Sequence, residues 1–226
     1  MTEDLQARPG SRRPPTAVIV LAAICLVSGL GVAALYQAMK SDIEENMARA
    51  FRQALQAVLG EADEYGTVGA YAQDVADEDK VYVCRDDGRT LYAARGEAKG
   101  YQSTVEVIVS VRADSPNGAL AADPVIHAMA VFESGETPGL GENIRAVEKD
   151  VSVWGALAGA RPAERRPWFQ DQFSGKRLSD LVVETRKDTD RIAAVTGATR
   201  TSEATTLAVR NAVGRIIERT AEVYGR

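Results

Sequence analysis

Residues 17–38 limit the architecture more than any other stretch of this chain. They read Ala-Val-Ile-Val-Leu-Ala-Ala-Ile-Cys-Leu-Val-Ser-Gly-Leu-Gly-Val-Ala-Ala-Leu-Tyr-Gln-Ala, without one charged side chain. A run of that length crosses a hydrocarbon core of roughly 30 Å as a helix, which satisfies its own backbone polar groups. A cleaved signal peptide is the rival reading. Its apolar part is usually shorter, and Ala34, Leu35, Tyr36 and Gln37 make a poor cleavage site, although Val-Ala-Ala stands at 32–34. The run is therefore read as a retained single-pass anchor. Arg8, Arg12 and Arg13 precede it, and Asp42, Glu44 and Glu45 follow after the single Lys40. The positive-inside rule then puts the N-terminus in the cytoplasm and everything past residue 40 outside. Gly29 and Gly31 would let a partner helix approach closely, although a plain lipid-facing anchor needs no such role for them.

Beyond the anchor the helical spacing continues through Ile43, Met47, Ala50, Phe51, Ala54, Leu55 and Val58, with Gly60 as a stop. Residues 60–79 are acidic and irregular. A β-rich region follows. Residues 80–85 and 90–94 flank Asp86-Asp87-Gly88, a hairpin signal. In residues 104–112, Val105, Val107, Val109 and Val111 point one way, and Glu106, Ile108, Ser110 and Arg112 the other. Residues 115–118 form a turn, 125–133 a further strand, and 178–185 another strand candidate. Residues 142–160 read as a mixed segment, and 187–191 as a charged turn. Cys84, within a strand pattern, reads as a small buried apolar residue.

Composition removes whole classes of chemistry. The chain has one histidine, His127, and two distant cysteines, Cys25 and Cys84. A multi-histidine metal site and a Cys-x-x-Cys cluster are both excluded, so no metal site is expected. No Gly-x-Ser-x-Gly accompanies the histidine, which reads as a strand-filling residue. The net charge of −5 gives no electrostatic footprint for nucleic acid. Any redox chemistry must come from an organic cofactor.

One turn stands out for ligand binding. Ala193-Ala-Val-Thr-Gly-Ala-Thr-Arg-Thr-Ser202 carries a run of hydroxyls around Gly197 and opens into a helical pattern of Val209, Ala212, Val213, Ile216 and Ile217. Thr201 or Ser202 suits the N-cap, and the start of such a helix can hold a phosphate. Thr-Gly-Ala-Thr before a helix is often only a loop and a cap, and it fits neither a P-loop nor a dinucleotide fingerprint. Two further stretches are dense. Glu136-Thr-Pro-Gly-Leu-Gly141 is a tight loop, and Trp168-Phe-Gln-Asp-Gln-Phe173 is the richest aromatic cluster, of the kind that packs in a core.

Three pieces in this order carry a resemblance: Glu136-Thr-Pro-Gly-Leu-Gly141, Trp168-Phe-x-x-Gln-Phe-x-Gly-Lys176 and Val195-Thr-Gly-Ala-Thr-x-Thr-Ser202. Over residues 15–226, anchor included, the chain resembles the G subunits of Rnf-type ion-translocating electron transport complexes. It is also similar to the C subunits of sodium-pumping NADH:quinone reductases, and both groups belong to the FMN-binding domain family. The resemblance implies FMN joined covalently, through its phosphate, to the hydroxyl of the threonine that ends Thr-Gly-Ala-Thr, here Thr199. It implies a flavin transferase, using FAD and a divalent metal, that installs the group outside the cytoplasm. It also implies cofactor contacts from Thr137, Gly139, Leu140 and Gly141 in one loop, with Leu140 against the ring. Thr196, Gly197, Ala198, Thr201 and Ser202 supply the other contacts, the last two on the phosphate side. The chain departs from the pattern at Ala193, where the motif usually has an acidic residue, and Asp190 lies three positions earlier. The stretch 113–123 is longer than expected and reads as a surface elaboration.

The resulting expectation is an α+β protein with mostly antiparallel strands. A disordered cytoplasmic tail (1–16) leads to a transmembrane helix (17–38). A juxtamembrane helix and connector (39–79) then leads to an extracytoplasmic FMN-binding domain (80–226). The protein sits in the inner membrane among other members of an electron transport complex and relays electrons through covalent FMN. The complex couples ferredoxin and NAD oxidoreduction to cation movement. No catalytic acid, base or nucleophile is expected. The alternatives are the quinone-reductase homologue and an anchored, non-redox scaffold or sensor.

Overall fold

In the computed structural model, the described residues are 16–62, 64–69, 79–86, 89–113, 118–146, 167–186 and 190–224. Residues 1–15 of the expected tail, 87–88 of the hairpin turn, 115–117 of the turn expected at 115–118, and 147–160 of the mixed segment with Trp154 lie outside them, as do residues 187–189 of the charged turn. Residue contacts divide the chain into two units, Met1–Asn46 and Met47–Arg226.

The first unit contains most of helix α1 (Thr16–Leu59). Among the described residues this is the one helix long and apolar enough to cross a membrane. Leu21, Leu26, Leu30 and Leu35 are all exposed along it. A row of exposed leucines is costly in water and ordinary in lipid, so the helix fits a single-pass anchor.

The second unit takes in the end of α1. A five-stranded antiparallel meander runs β1 (Gly66–Thr67), β2 (Val81–Asp86), β3 (Arg89–Lys99), β4 (Thr104–Arg112) and β5 (Ile126–Ser134), each strand paired with the next. The alternation in β4 sorts its side chains as the sequence pattern requires. Val105, Val107, Val109 and Val111 are fully buried on one face, under helix α3 (Thr199–Tyr224). Ile108 faces the other way, where Ala54, Leu55, Val58 and Leu59 of α1 form a second cluster with Ala128 and Phe132. Ser110 on the same side donates its hydroxyl to the carbonyl of Val58, 2.8 Å away, and so satisfies a helix-end acceptor. Gly60 ends α1 at φ 91°. Cys84 is half-buried against this second cluster rather than sealed in the core.

Helix α3 is set close to β3. Ala94, Gly96 and Ala98 give that strand a low profile, and a Cβ on Gly96 would lie 2.0 Å from the carbonyl oxygen of Ala208. Past its pairing with β2, β3 continues through residues 95–99, and the carbonyls of Arg95 and Glu97 accept from Arg215 and Asn211 of α3. Thr205, Thr206 and Thr220 are buried on the helix and return their hydroxyls to carbonyls four residues back, so they carry no unpaired donor into the core.

Two further expectations are corrected. The helix after Thr-Gly-Ala-Thr starts at Thr199, not after a cap at Thr201 or Ser202. Ser202 turns back to its own first turn, and its N–H and hydroxyl both donate to the carbonyl of Ala198. Residues 178–185 do not form one strand. A 3-10 turn (Leu178–Asp180) comes first, because the carboxylate of Asp180 accepts from the N–H of Arg177. Only β6 (Val183–Glu184) remains extended, paired in parallel with β7 (Ile192–Ala193).

Candidate functional site

Two of the dense stretches face each other across a cleft of ≈ 460 Å³, within the size range of small-molecule and cofactor sites. Its lining is Thr137, Leu140 and Gly141 from one loop, Gly197, Ala198, Thr199, Arg200 and Thr201 from the other, together with Tyr101 and Glu136. The third stretch holds both loops in place. In the one-turn helix α2 (Trp168–Asp171) and the turn after it, Phe169 and Phe173 are fully buried. The two glutamines of that stretch reach opposite sides. The amide of Gln170 donates to the carbonyl of Ile144, in the 3-10 helix (Gly141–Arg145) that continues the first loop. Gln172 acts as a short piece of strand: it accepts from the N–H of Ala193 at 2.8 Å and donates to its carbonyl at 3.2 Å. Ala193, at the usual position of the acid, is thus buried and paired on β7, while Asp190 is exposed.

The hydroxyls of the second loop fall into two classes. Thr201 and Ser202 are buried, at 1% and 0% exposure. Thr201 donates to Glu136 at 2.7 Å, and the Ser202 oxygen accepts from the N–H of Val195 at 3.0 Å. Thr196 is exposed and outside the cleft lining, and Thr199 is half-buried within it. Gly197, at φ 78°, supplies a left-handed turn that lets Leu140 lie across it; an added Cβ would stand 3.1 Å from Leu140 Cδ2. Leu140 itself is 47% exposed, an apolar cover on the cleft. Thr137 donates to the side chain of Gln102. Gly139 is in the left-handed region at φ 76°, shapes the loop and, like Ser202, does not line the cleft.

Sequence reasoning missed Glu136, Tyr101 and Arg200 as site residues. Glu136 is 5% exposed, and its carboxylate accepts from the N–H groups of Tyr101, Gln102 and Ser103 as well as from Thr201. Burial pushes its carboxyl group up, but the bonds from Thr201, Ser103, Gln102 and Tyr101 outweigh that and hold it below the usual carboxylate range. The available signal was its place as the first residue of the 136–141 loop that carries the resemblance. Its partners lie 33–65 positions away, where no local pattern can reach. Tyr101, 73% exposed on the β3–β4 turn, had no signal at all.

These features fit a flavin mononucleotide. The first N–H groups of α3 have no intrahelical acceptor, and Arg200 adds a cation for a phosphate. Leu140 and Tyr101 offer apolar and aromatic surface to a flat ring.

Residues 100–214 match the model of the FMN-binding domain family. The G subunit of the proton-translocating ferredoxin:NAD(+) oxidoreductase complex of Clostridium ljungdahlii is 26% identical over 194 residues, covering 85% of each chain. The G subunit of the Na(+)-translocating ferredoxin:NAD(+) oxidoreductase complex of Acetobacterium woodii is 26% identical over 211 residues, covering 86% of this chain and 87% of that one. Among solved structures, the C subunit of the Na(+)-translocating NADH-quinone reductase of Parabacteroides distasonis aligns at TM-score 0.42 and 19% identity, over 62% of this chain and 61% of that one. NqrC of Shewanella oneidensis aligns at TM-score 0.39 and 19% identity, over 69% and 65%. The matched span holds every residue that lines the cleft, and the chain belongs to the FMN-binding domain family.

Proposed function

We propose that this chain is the membrane-anchored flavin subunit of an Rnf-type ferredoxin:NAD oxidoreductase complex, carrying FMN as a phosphodiester on Thr199. The observation that carries the residue assignment is the division of the hydroxyls. Thr201 and Ser202 are buried and bonded inside the protein, whereas Thr199 is only half-buried in the cleft lining at the start of α3. The similarity to two G subunits over most of their length supports the complex.

The attachment is a transfer from FAD by a flavin transferase. Thr199 would supply the accepting oxygen for the FMN phosphoryl group, with AMP as the leaving group from the pyrophosphate and the hydroxyl proton released to solvent. The helix start and Arg200 offset the charge of the resulting diester. When bound, the flavin supplies the electron-carrying chemistry. The chain's own residues bind and orient: Leu140 and Tyr101 cover the ring, and Thr137 offers a polar contact. No side chain acts as an acid, base or nucleophile in turnover, and the protein takes no small substrate of its own. Covalent attachment suits a domain outside the cytoplasm, where lost FMN is not easily replaced. The arginines before the anchor and the acids after it support that orientation, with the anchor in the inner membrane among the helices of its partners.

The test is co-expression with a flavin transferase followed by a denaturing gel viewed for flavin fluorescence. The wild-type band fluoresces and the Thr199→Ala band is dark. A fluorescent Thr199→Ala band that darkens only in Thr201→Ala contradicts the assignment.

A further inference from the structure

Glu136 has no part in the function proposed above, yet the cleft is assembled around it. Its carboxylate joins three segments far apart in the chain. Oε1 accepts from the N–H groups of Gln102 (3.0 Å) and Ser103 (2.9 Å), and Oε2 from the N–H of Tyr101 (3.3 Å) and the hydroxyl of Thr201 (2.7 Å). The β3–β4 turn, the loop of residues 136–141 and the first turn of α3 therefore meet on one side chain. Two glycines make room for it. A Cβ on Gly100 would lie 2.5 Å from Oε1, and a Cβ on Gly141 would lie 2.8 Å from Oε2 and from the Thr201 hydroxyl. A charged group this deeply buried is stable only when its lone pairs are filled, and here donors surround it.

We propose that Glu136 is a positioning residue that decides which hydroxyl receives the flavin, holding the Thr201 hydroxyl inward and setting the α3 start so that Thr199 is the helix-start threonine presented to the cleft. The proposal rests on the covalent reading of Thr199. Thr199, Thr201 and Ser202 occupy the first turn of one helix, and Thr196 precedes it, so the local sequence offers several similar oxygens. Burial separates them. Thr201 lines the cleft wall, but its proton is directed at Glu136 and it is 1% exposed. Ser202 is held by Val195 and Ala198. In Glu136→Gln one of the two acceptor oxygens becomes an NH2 donor, so either Thr201 is released toward the cleft or the turn that aims Thr199 loses its tie to residues 102–103. A reacting oxygen displaced by about 1 Å loses on the order of a hundredfold in rate. A carboxylate that accepts a hydroxyl proton could instead activate that hydroxyl, in which case Thr201 would be the modified residue. Mapping the attachment site separates the two roles.

The experiment uses the full chain, co-expressed or incubated with a flavin transferase and FAD, as wild type, Glu136→Gln and Thr201→Val. Three quantities are read: the initial rate of flavin addition, the modified residue by peptide mass mapping, and the melting temperature of the unmodified protein. The wild type carries its flavin on Thr199. Glu136→Gln is modified about tenfold more slowly or worse, with the label divided between Thr199 and Thr201. A merely structural role would not redistribute the label. Thr201→Val keeps the backbone donors to Glu136 and so guards against a Glu136→Gln chain that does not fold. It folds, with a melting temperature lowered by the loss of one donor to the buried carboxylate, and is labelled severalfold more slowly, on Thr199 alone. Wild-type rates and sole labelling of Thr199 in both variants overturn the positioning role and leave the Thr199 reading intact. If Glu136→Gln fails to fold, a wild-type rate in Thr201→Val overturns it. Wild-type label on Thr201 overturns it in favour of activation by Glu136. An unlabelled wild type overturns both.

Discussion

The chemistry of this protein turns on which side-chain oxygens are engaged and which are free. Thr199 is half-buried in the cleft lining, and Glu136 is the anion on which the cleft walls meet. A carboxyl group held below its usual range contributes stability above its unfolded value, near 4.5, and loses it as pH falls through the lower folded value. Glu136→Gln should therefore be less stable than wild type at neutral pH, by about 1–3 kcal/mol. The gap should narrow under acid, as read from denaturation midpoints of the detergent-solubilised chain at about pH 7 and about pH 3. Glu106 works in the opposite sense. Burial pushes its carboxyl group up in spite of Arg95, whose Nη2 stands 2.8 Å away, so its contribution falls as pH rises past its unfolded value. Arg95→Met should cost about 2–4 kcal/mol at neutral pH, because it strands that buried carboxylate, and less at low pH, where Glu106 is neutral. A loss independent of pH would show that packing of Arg95 over the Phe132 ring dominates instead.

At the scale of elements, the approach of α3 to β3 decides whether the site exists, because α3 carries Thr199 at its first position. Gly96→Ala would place a methyl 2.0 Å from the Ala208 carbonyl oxygen and 2.8 Å from the Ala212 Cβ. Strand and helix must part, at about 3 kcal/mol or more, seen as a lowered melting temperature together with reduced flavin loading. Gly139→Ala in the exposed loop has open space around it and pays only for its backbone angle. The strands were legible in the sequence where alternation is strong, as in the four valines of β4. The end of β3 was not, because Arg-Gly-Glu-Ala-Lys has no β-branched residue and is held extended by β4 and by side chains of α3. Residues 178–185 misled for the converse reason, since Val182 and Val183 suit a strand while Asp180 closes a local turn. The loops and Thr199 could be named from their motifs. Glu136 and Tyr101 could not be named as site residues, because what places them at the cleft is pairing across the fold rather than any local period.

At the scale of the whole molecule, an anchor and a flavin-binding unit share one chain, and each has its own test. A reporter enzyme that folds only outside the cytoplasm, fused after residue 226, should be active, and one that works only inside should be silent. The opposite pattern would reverse the orientation drawn from Arg8, Arg12 and Arg13. The bond between protein and flavin is tested by weighing the protein, purified from its native membrane, as an intact chain and then as peptides. The expected result is the polypeptide plus FMN less one water, with all of the excess on the peptide that contains Thr199. A protein that weighs no more than its amino acids would contradict the account.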